Sequence, residues 1–224
     1  LTLKELVVAD GPLNAGRVIR LMTQVCGSLA EAHEAGLVHR DIKPANVMVS
    51  YRGGLGDFVT VLDFGLVKPV RKTEDRELTV PGGFFGSPGF ISPETVSGDP
   101  VDSRSDLYSL GATAWYLLTG REVFEGETGF QTCMKHVQEP ARPPSEFLPV
   151  PTDPDLEHLL MQCLEKEPRK RPASARHLIA SLGKCKAAAD WSDQQAAEWW
   201  NRHLQETQFR AEDETDATFV LIDD

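Results

Sequence analysis

The sequence lacks any apolar run long enough to cross a membrane. No uncharged apolar stretch approaches the ~18–20 residues that a bilayer requires, and the N-terminal residues do not show the basic-then-apolar pattern of a secretory signal. We therefore expect no membrane segment in this chain. Paired cysteines are also missing, because no C-x-x-C motif occurs that would suggest a zinc or redox site. We interpret the thiols as buried in a reducing cytoplasm: Cys26, Cys133, Cys163 and Cys185.

An excess of positive charge is absent as well. The 224 residues contain 23 Lys and Arg against 34 Asp and Glu, a net charge of −11. This balance argues against nucleic acid as a partner. Residues 190–224 account for −8 of that charge, which leaves −3 for residues 1–189. We therefore predict a nearly neutral body, residues 1–185, followed by residues 186–224 as a C-terminal helix and a disordered acidic tail.

Apolar spacing predicts a mainly helical body. After Asn14 as N-cap, apolar residues recur at helical intervals up to Gly36, and a second helix, apolar on nearly all sides, is expected from Ser103 to Gly120. Further helices are predicted around Leu156–Leu164, around Ala175–Leu182, and after the capping-box pattern Ser192–Gln195.

Two β-rich stretches, Asn46–Ser50 and Phe58–Leu62, are separated by a glycine-containing segment and predict a hairpin. Beyond it, Lys68 to Pro93 shows no sustained periodicity and predicts a loop of about 25 residues. Loops of that length in compact domains are usually functional or disordered.

The densest group of chemically useful side chains lies at residues 39–46, which read His-Arg-Asp-Ile-Lys-Pro-Ala-Asn. Between a helix and a strand they place a carboxylate (Asp41), an ammonium group (Lys43) and a carboxamide (Asn46). Such a cluster can orient a hydroxyl group, neutralise a phosphate and ligate a hard cation. The alternative is a polar loop that only caps the preceding helix.

Residues 39–46 resemble the catalytic loop of protein kinases. Asp63-Phe64-Gly65, which begins seventeen residues after Asn46, resembles the metal-binding motif of that family. Ser92-Pro93-Glu94 is similar to the family's A-P-E motif, with Ser in place of Ala. The two motifs bracket the long loop, which the resemblance identifies as an activation loop.

The resemblance also assigns structural roles to three residues. Asp106 matches an aspartate that in kinases anchors the backbone of the catalytic loop. Arg171 matches the arginine that pairs with the glutamate of A-P-E, here Glu94, and a buried fork of this kind would hold the end of the activation loop. For Arg171 taken alone, the alternative is an exposed basic turn. The resemblance extends from residue 1 to about residue 185.

Catalytic roles follow from the same resemblance. Asp41 would orient or accept the proton of a substrate hydroxyl, and Lys43 would neutralise charge on the γ-phosphoryl group of ATP. Asn46 and Asp63 would hold Mg²⁺, which bridges the ATP phosphates. A lysine two residues after the catalytic aspartate is typical of serine/threonine kinases, so we expect a protein substrate with Ser or Thr as acceptor. Ala45 stands where many basic-directed kinases carry Glu, which leaves peptide specificity open.

A complete kinase also needs a Gly-rich loop, a strand lysine and a helix glutamate. No G-x-G-x-x-G occurs in this sequence, and Lys4 is the only lysine before His39. We therefore expect an α+β, mainly helical fold that corresponds to the large lobe of a bacterial-type (Hanks-type) serine/threonine kinase, with a small hairpin near the catalytic loop. The small lobe is expected upstream in the parent protein, and this chain alone is expected to be inactive. The alternatives are a kinase-derived binding or scaffold module and a small-molecule phosphotransferase.

Regulation is expected through the loop between Asp63 and Glu94. Arg40 is a fixed cation beside Asp41, and a phosphate on the loop could pair with it and order the loop. Of the candidate hydroxyls, Thr79 is favoured. Thr73 lies in a charged stretch, and Ser87 occupies a position where the family's hydroxyl residue contacts the catalytic Asp and Lys. The alternative is that Thr79 is an ordinary loop threonine.

Overall fold

The part of the chain described by the computed structural model, residues 1–62, 68–69 and 87–204, is mainly helical. Its helices are α1 (Leu3–Asp10), α2 (Ala15–Glu34), α3 (Pro93–Ser97), α4 (Ser103–Thr119), α5 (Gly129–Gln138), α6 (Pro154–Cys163), α7 (Ala175–Leu182) and α8, which covers residues 193–204. Four short strands accompany them: β1 (Leu37–Val38), β2 (Val47–Arg52), β3 (Leu55–Val61) and β4 (Lys68–Pro69). This content agrees with the predicted mainly helical α+β class.

The core forms around α2 and α4. Asn14 caps α2 by accepting a hydrogen bond from the Arg17 backbone N–H at 2.8 Å, and α4 ends at Gly120, whose φ of +71° is easily reached by glycine. The four cysteines are free and buried, as expected. The apolar faces of both helices pack into one cluster with side chains of α6 and α7, including Val18, Leu21, Val25, Leu110, Leu117, Leu160 and Leu178.

The predicted hairpin exists, but its strands are longer than expected and its turn is shorter. Strands β2 and β3 pair antiparallel from Val47 opposite Val61 to Arg52 opposite Leu55. Only Gly53 and Gly54 remain in the turn, both with positive φ. Two adjacent glycines allow this tight two-residue connection, so the flanking residues can join the strands.

The prediction of a loop from Lys68 to Pro93 is wrong at its start. Lys68–Pro69 forms β4, which pairs antiparallel with Leu37–Val38 immediately before the predicted catalytic loop. Backbone pairing over two residues leaves no hydrophobic periodicity in the sequence, which explains why this strand was not predicted. Helices α1, α3 and α5 were not predicted either.

Residues 186–204 pack against the body through three tryptophans, Trp191, Trp199 and Trp200, which we call the tryptophan clamp. The carboxylate of Asp57, fully buried at the start of β3, accepts hydrogen bonds from Arg17 Nε and Nη2 and from Nε1 of Trp191 and Trp200, at 2.8 to 3.0 Å. The Arg17 guanidinium also lies 4.8 Å and 4.1 Å from the ring centres of Trp191 and Trp199. The clamp thus joins the C-terminal segment to α2 and to the hairpin.

The clamp depends on close backbone approach at two glycines. A Cβ on Gly16 would lie 2.8 to 2.9 Å from backbone atoms of Ala187, Asp190 and Trp191. A Cβ on Gly56 would meet Ala196 and Trp200 at similar distances. Larger side chains at either position would push the C-terminal segment away from the body.

We predict that Asp57→Asn strongly destabilises the chain, because it leaves the buried Arg17 guanidinium without its main counter-charge. The expected cost is about 3–5 kcal/mol of unfolding free energy, measured by urea denaturation. Asp193→Asn is the matched control, because it removes an exposed ion pair with Arg20 and should cost less than about 1 kcal/mol. Equal urea midpoints for the two variants would contradict this account of the clamp.

Candidate active site

The backbone of residues 39–46 is held by a carboxylate from another element. Asp106, in the first turn of α4 and fully buried, accepts hydrogen bonds from the backbone N–H groups of His39 at 2.9 Å and Arg40 at 2.8 Å. His33 Nε2 lies 2.8 Å from the same carboxylate. Arg40 has a φ of +67°, in the left-handed region that non-glycine residues rarely adopt. The charge-assisted bonds from Asp106 hold this backbone conformation in place.

His39 and Asn46 connect the same loop to the end of β3. The His39 ring donates from Nε2 to the Leu62 carbonyl at 2.8 Å, while Nδ1 accepts from the Asp41 backbone N–H at 3.3 Å. The Asn46 carbonyl accepts from the Leu62 backbone N–H at 2.8 Å. Both the backbone N–H and the carbonyl of Leu62, the residue before Asp63, are therefore hydrogen-bonded to the loop.

Asp41, Lys43 and Asn46 form one hydrogen-bonded cluster. Lys43 Nζ donates to Asp41 Oδ2 at 2.6 Å, and Asn46 Nδ2 donates to the same oxygen at 2.8 Å and to the Asp41 carbonyl at 2.9 Å. Asp41 Oδ1 makes no hydrogen bond within the described residues. One carboxylate oxygen is thus fixed by the protein, and the other remains available to a hydroxyl group.

The side chain of Asn46 presents an oxygen atom suited to binding a hard cation. Because its Nδ2 is directed to Asp41, its amide Oδ1 is left without a protein partner among the residues described, although the side chain is buried. Amide and carboxylate oxygens are the ligands that Mg²⁺ prefers. The described residues contain no group of three or more His, Cys, Asp or Glu side chains arranged to hold a metal. Asp63, the second predicted ligand, lies outside them.

A second charged cluster fixes the segment that follows the long loop. Arg171 Nη1 and Nη2 donate to Glu94 Oε1 and Oε2 at 2.6 and 2.7 Å, and Ser105 Oγ donates to Oε1. Burial pushes the pKa of the Glu94 carboxyl upward, but the hydrogen bonds and charge of Arg171, with the Ser105 hydroxyl, outweigh it and lower the pKa. The structure thus brings together the pair that the sequence suggested, as a bidentate fork.

Of the two predicted regulatory residues, Arg40 and Thr79, the structure describes only Arg40. Thr79 and the alternative Thr73 lie outside the described residues. Arg40 is described, and its Nε is buried without a hydrogen-bond partner in the part of the chain described. Ser87 lies on the same cavity as Lys43.

The sequence analysis did not identify two residues that lie near residues 39–46. Met48 is 37% exposed on the outward face of β2, two residues after Asn46. Glu122, which follows α4, lies on the cavity that Lys43 lines. Met48 was identified only as part of a strand, and Glu122 reaches the loop through tertiary folding, so neither carried a sequence signal for a site.

Comparison with known proteins agrees with this geometry. The family model described as "Protein kinase domain" matches residues 2–181. The chain belongs to the protein kinase family. The matched residues include both the Asp41–Lys43–Asn46 cluster and the Glu94–Arg171 fork.

Bacterial members of this family are similar to the chain over most of its length. Serine/threonine-protein kinase pkn3 of Myxococcus xanthus is 41% identical over 182 residues, which are 80% of this chain and 33% of the relative. The probable serine/threonine-protein kinase PknB of Corynebacterium glutamicum is 35% identical over 185 residues, 81% of this chain and 28% of the relative. The chain is thus of the bacterial Hanks type and spans a third or less of the length of these relatives. Among the described helices, none has the length and apolar character needed to cross a bilayer.

Proposed function

We propose that this chain is the large-lobe part of a serine/threonine protein kinase, which transfers the γ-phosphoryl group of ATP to Ser or Thr hydroxyls of proteins. The observation that carries the proposal is the Asp41 carboxylate, with Oδ2 fixed by Lys43 and Asn46 and Oδ1 free among the described residues. A polar loop that only capped α2 would not require this arrangement. The family match and the serine/threonine kinases among the relatives support the proposal.

Each residue of the cluster performs a separate task in this proposal. Asp41 Oδ1 orients the acceptor hydroxyl and takes its proton as the phosphoryl group is transferred. Lys43, held 2.6 Å from Asp41 Oδ2, presents its positive charge beside the reacting oxygen. Because Asp106 anchors the loop backbone, the carboxylate and the ammonium group keep this geometry before substrate arrives.

Asn46 and Asp63 would hold Mg²⁺. The orientation of the Asn46 amide suits this role, because its oxygen is the atom left without a protein partner in the described region. When bound, the metal ion neutralises charge on the ATP phosphates and fixes their position. Leu62 carries the backbone contacts that lead from the catalytic loop to Asp63.

A small lobe joined upstream would complete the ATP site. The outward face of the hairpin bears the exposed apolar side chains Met48 and Phe58, and Tyr51 and Leu55 lie near its turn. Clustered exposed apolar side chains beside a functional site are typical of a surface that another element covers. The Gly-rich loop and phosphate-binding lysine missing from the sequence would belong to that lobe. We also propose a cytoplasmic location, supported by four free, buried cysteines.

We predict that Asp41→Asn and Asp63→Asn each lower turnover by about 100-fold or more in the protein that carries both lobes. Asp41→Asn removes the proton acceptor and Asp63→Asn removes a metal ligand, while both preserve side-chain volume. Phosphate transfer to a protein substrate is measured with Mg²⁺ and ATP, and circular dichroism checks the fold. The exposed Asp99→Asn serves as the control. Near wild-type turnover of Asp63→Asn would mean that the metal is held elsewhere.

We further propose that phosphorylation of Thr79 activates the kinase through Arg40. The buried, unpartnered Nε of Arg40 in the described region is a donor suited to a phosphate oxygen. A phosphate there would fix the long loop against the catalytic loop. This pairing would link the charge state of the loop to the position of Asp41.

We predict that Thr79→Ala lowers the activity of the autophosphorylated protein, whereas Thr73→Ala does not. Phosphosite mapping by mass spectrometry and activity assays before and after phosphatase treatment provide the measurement. If Thr79 is unmodified and its alanine variant is fully active, Arg40 does not have this role.

A further inference from the structure

An open apolar groove of about 780 Å³ lies where α2 begins, α4 ends and residues 147–153 lead into α6. Its walls include Leu13, Leu118, Phe147, Val150, Lys186 and Ala187. None of its described wall residues belongs to residues 39–46, so the groove is separate from the candidate active site. The family match ends at residue 181, and Lys186 and Ala187 therefore come from a part of the chain outside that match.

Three prolines on the walls, Pro12, Pro149 and Pro151, give the groove a name, the proline groove. Proline has no backbone N–H, so these residues present apolar rings without a hydrogen-bond donor. Between two of them, Val150 is 72% exposed. Thr152 Oγ1, also on the wall, is buried and has no hydrogen-bond partner in the part of the chain described. An exposed apolar surface with an unsatisfied hydroxyl group is typical of a surface that another segment covers.

Two cations border the proline groove. The Arg121 guanidinium lies 5.7 Å from the ring centre of Phe147, and Lys186 lies on the wall itself. Neither makes an ion pair with another described residue. Of the carboxylates on the wall, Asp153 accepts hydrogen bonds from three backbone N–H groups, and Asp190 is exposed to solvent. The groove is therefore suited to an apolar segment with carboxylates at its ends.

The chain itself contains a segment of this composition. Residues 205–224 lie outside the described part, and within them residues 219–222 read Phe-Val-Leu-Ile. Asp216 precedes this apolar run, and Asp223 and Asp224 follow it directly. Because the run is apolar and is negatively charged on both sides, its composition complements the groove and the two cations that border it.

The intervening residues are long enough to bring the run to the groove. Asp190 lines the groove, and α8 begins three residues later and ends at residue 204. At 1.5 Å per residue the two ends of α8 are about 17 Å apart. Residues 205–218 can extend over about 45 Å, which is more than the return path requires.

We propose that residues 219–222 bind in the proline groove of their own chain, with their flanking carboxylates beside Lys186 and Arg121. Attachment to the same chain gives the segment an effective concentration in the millimolar range, so a modest contact is enough to fill the groove. Residues 186–224 then form one C-terminal unit, in which the tryptophan clamp holds the first half and the groove holds the end. This inference does not rest on the proposed kinase function, because no residue of the Asp41 cluster takes part.

Cysteine trapping in the full chain of residues 1–224 tests the contact. Val150→Cys is combined with one further substitution at a time: Phe219→Cys, Val220→Cys, Leu221→Cys or Ile222→Cys. Val8→Cys with the same partners is the matched control, because Val8 is 77% exposed but lines a different cavity. The four native cysteines are buried. After mild oxidation of dilute protein, mass spectrometry of the digest measures the yield of disulfide within one chain.

We expect the best Val150→Cys pair to give about ten-fold more of this disulfide than any Val8→Cys pair. Adding Lys186→Glu to the best pair should lower its yield towards the control value, because the reversed charge repels the carboxylates beside the run. Circular dichroism checks that each variant is folded.

Hydrogen exchange measures the same contact without introduced cysteines. A bound segment shields the wall of the groove, so amide exchange in residues 147–153 should be about five-fold faster in Leu221→Asp than in the wild-type chain. Phe209→Asp is the control variant, because it changes an isolated apolar residue of the same C-terminal segment and should leave the exchange rates unchanged.

Three outcomes would overturn the inference. The first is an equal yield of disulfide for the Val150→Cys and Val8→Cys pairs. The second is disulfide found only between two chains, which would mean that a second copy fills the groove. The third is exchange in residues 147–153 that is the same in Leu221→Asp and in the wild-type chain. None of these measurements requires phosphate transfer, so the inference can fail while the kinase proposal stands, and the reverse.

Discussion

The buried carboxylate of Asp106 is the contact on which the candidate active site depends. It satisfies two backbone N–H groups of the catalytic loop and contacts His33, so that α4, α2 and the loop meet at one charged group. A loop with Arg40 in the left-handed region would relax if these bonds were absent. The positions of Asp41 and Lys43 are therefore set by a residue that lies 65 positions after Asp41 in the sequence.

Two further buried ion pairs stabilise the parts of the structure around the site. The Glu94–Arg171 fork holds the chain where it returns from the long loop, and Asp57 with Arg17 holds the far end of the hairpin whose strands adjoin Asn46 and Asp63. In each pair the arginine makes additional hydrogen bonds or ring contacts, which offset the cost of burying the charge. The site is thus supported at residues 39–46, at the residues that follow the long loop, and at the hairpin.

Much of this arrangement could be predicted from the sequence. The amphipathic pattern of α2 and the glycine that ends α4 predicted those helices, and the close spacing of Asp41, Lys43 and Asn46 predicted a polar cluster. The tryptophan clamp and the Glu122 cavity could not be predicted, because their partners are far apart in sequence and each residue type alone is common on protein surfaces. Strand β4 was missed because two residues of backbone pairing have no side-chain periodicity.

The most direct test compares two purified proteins, residues 1–224 alone and the same residues preceded by the small lobe proposed above, in ATP-dependent phosphorylation of a protein substrate. The account predicts phosphoserine or phosphothreonine only with the two-lobed protein, because the cluster at Asp41 supplies the acceptor side of the reaction and the small lobe supplies the phosphate clamp. Turnover of about 1–100 s⁻¹ by residues 1–224 alone would contradict it, as would a folded two-lobed protein that transfers no phosphate.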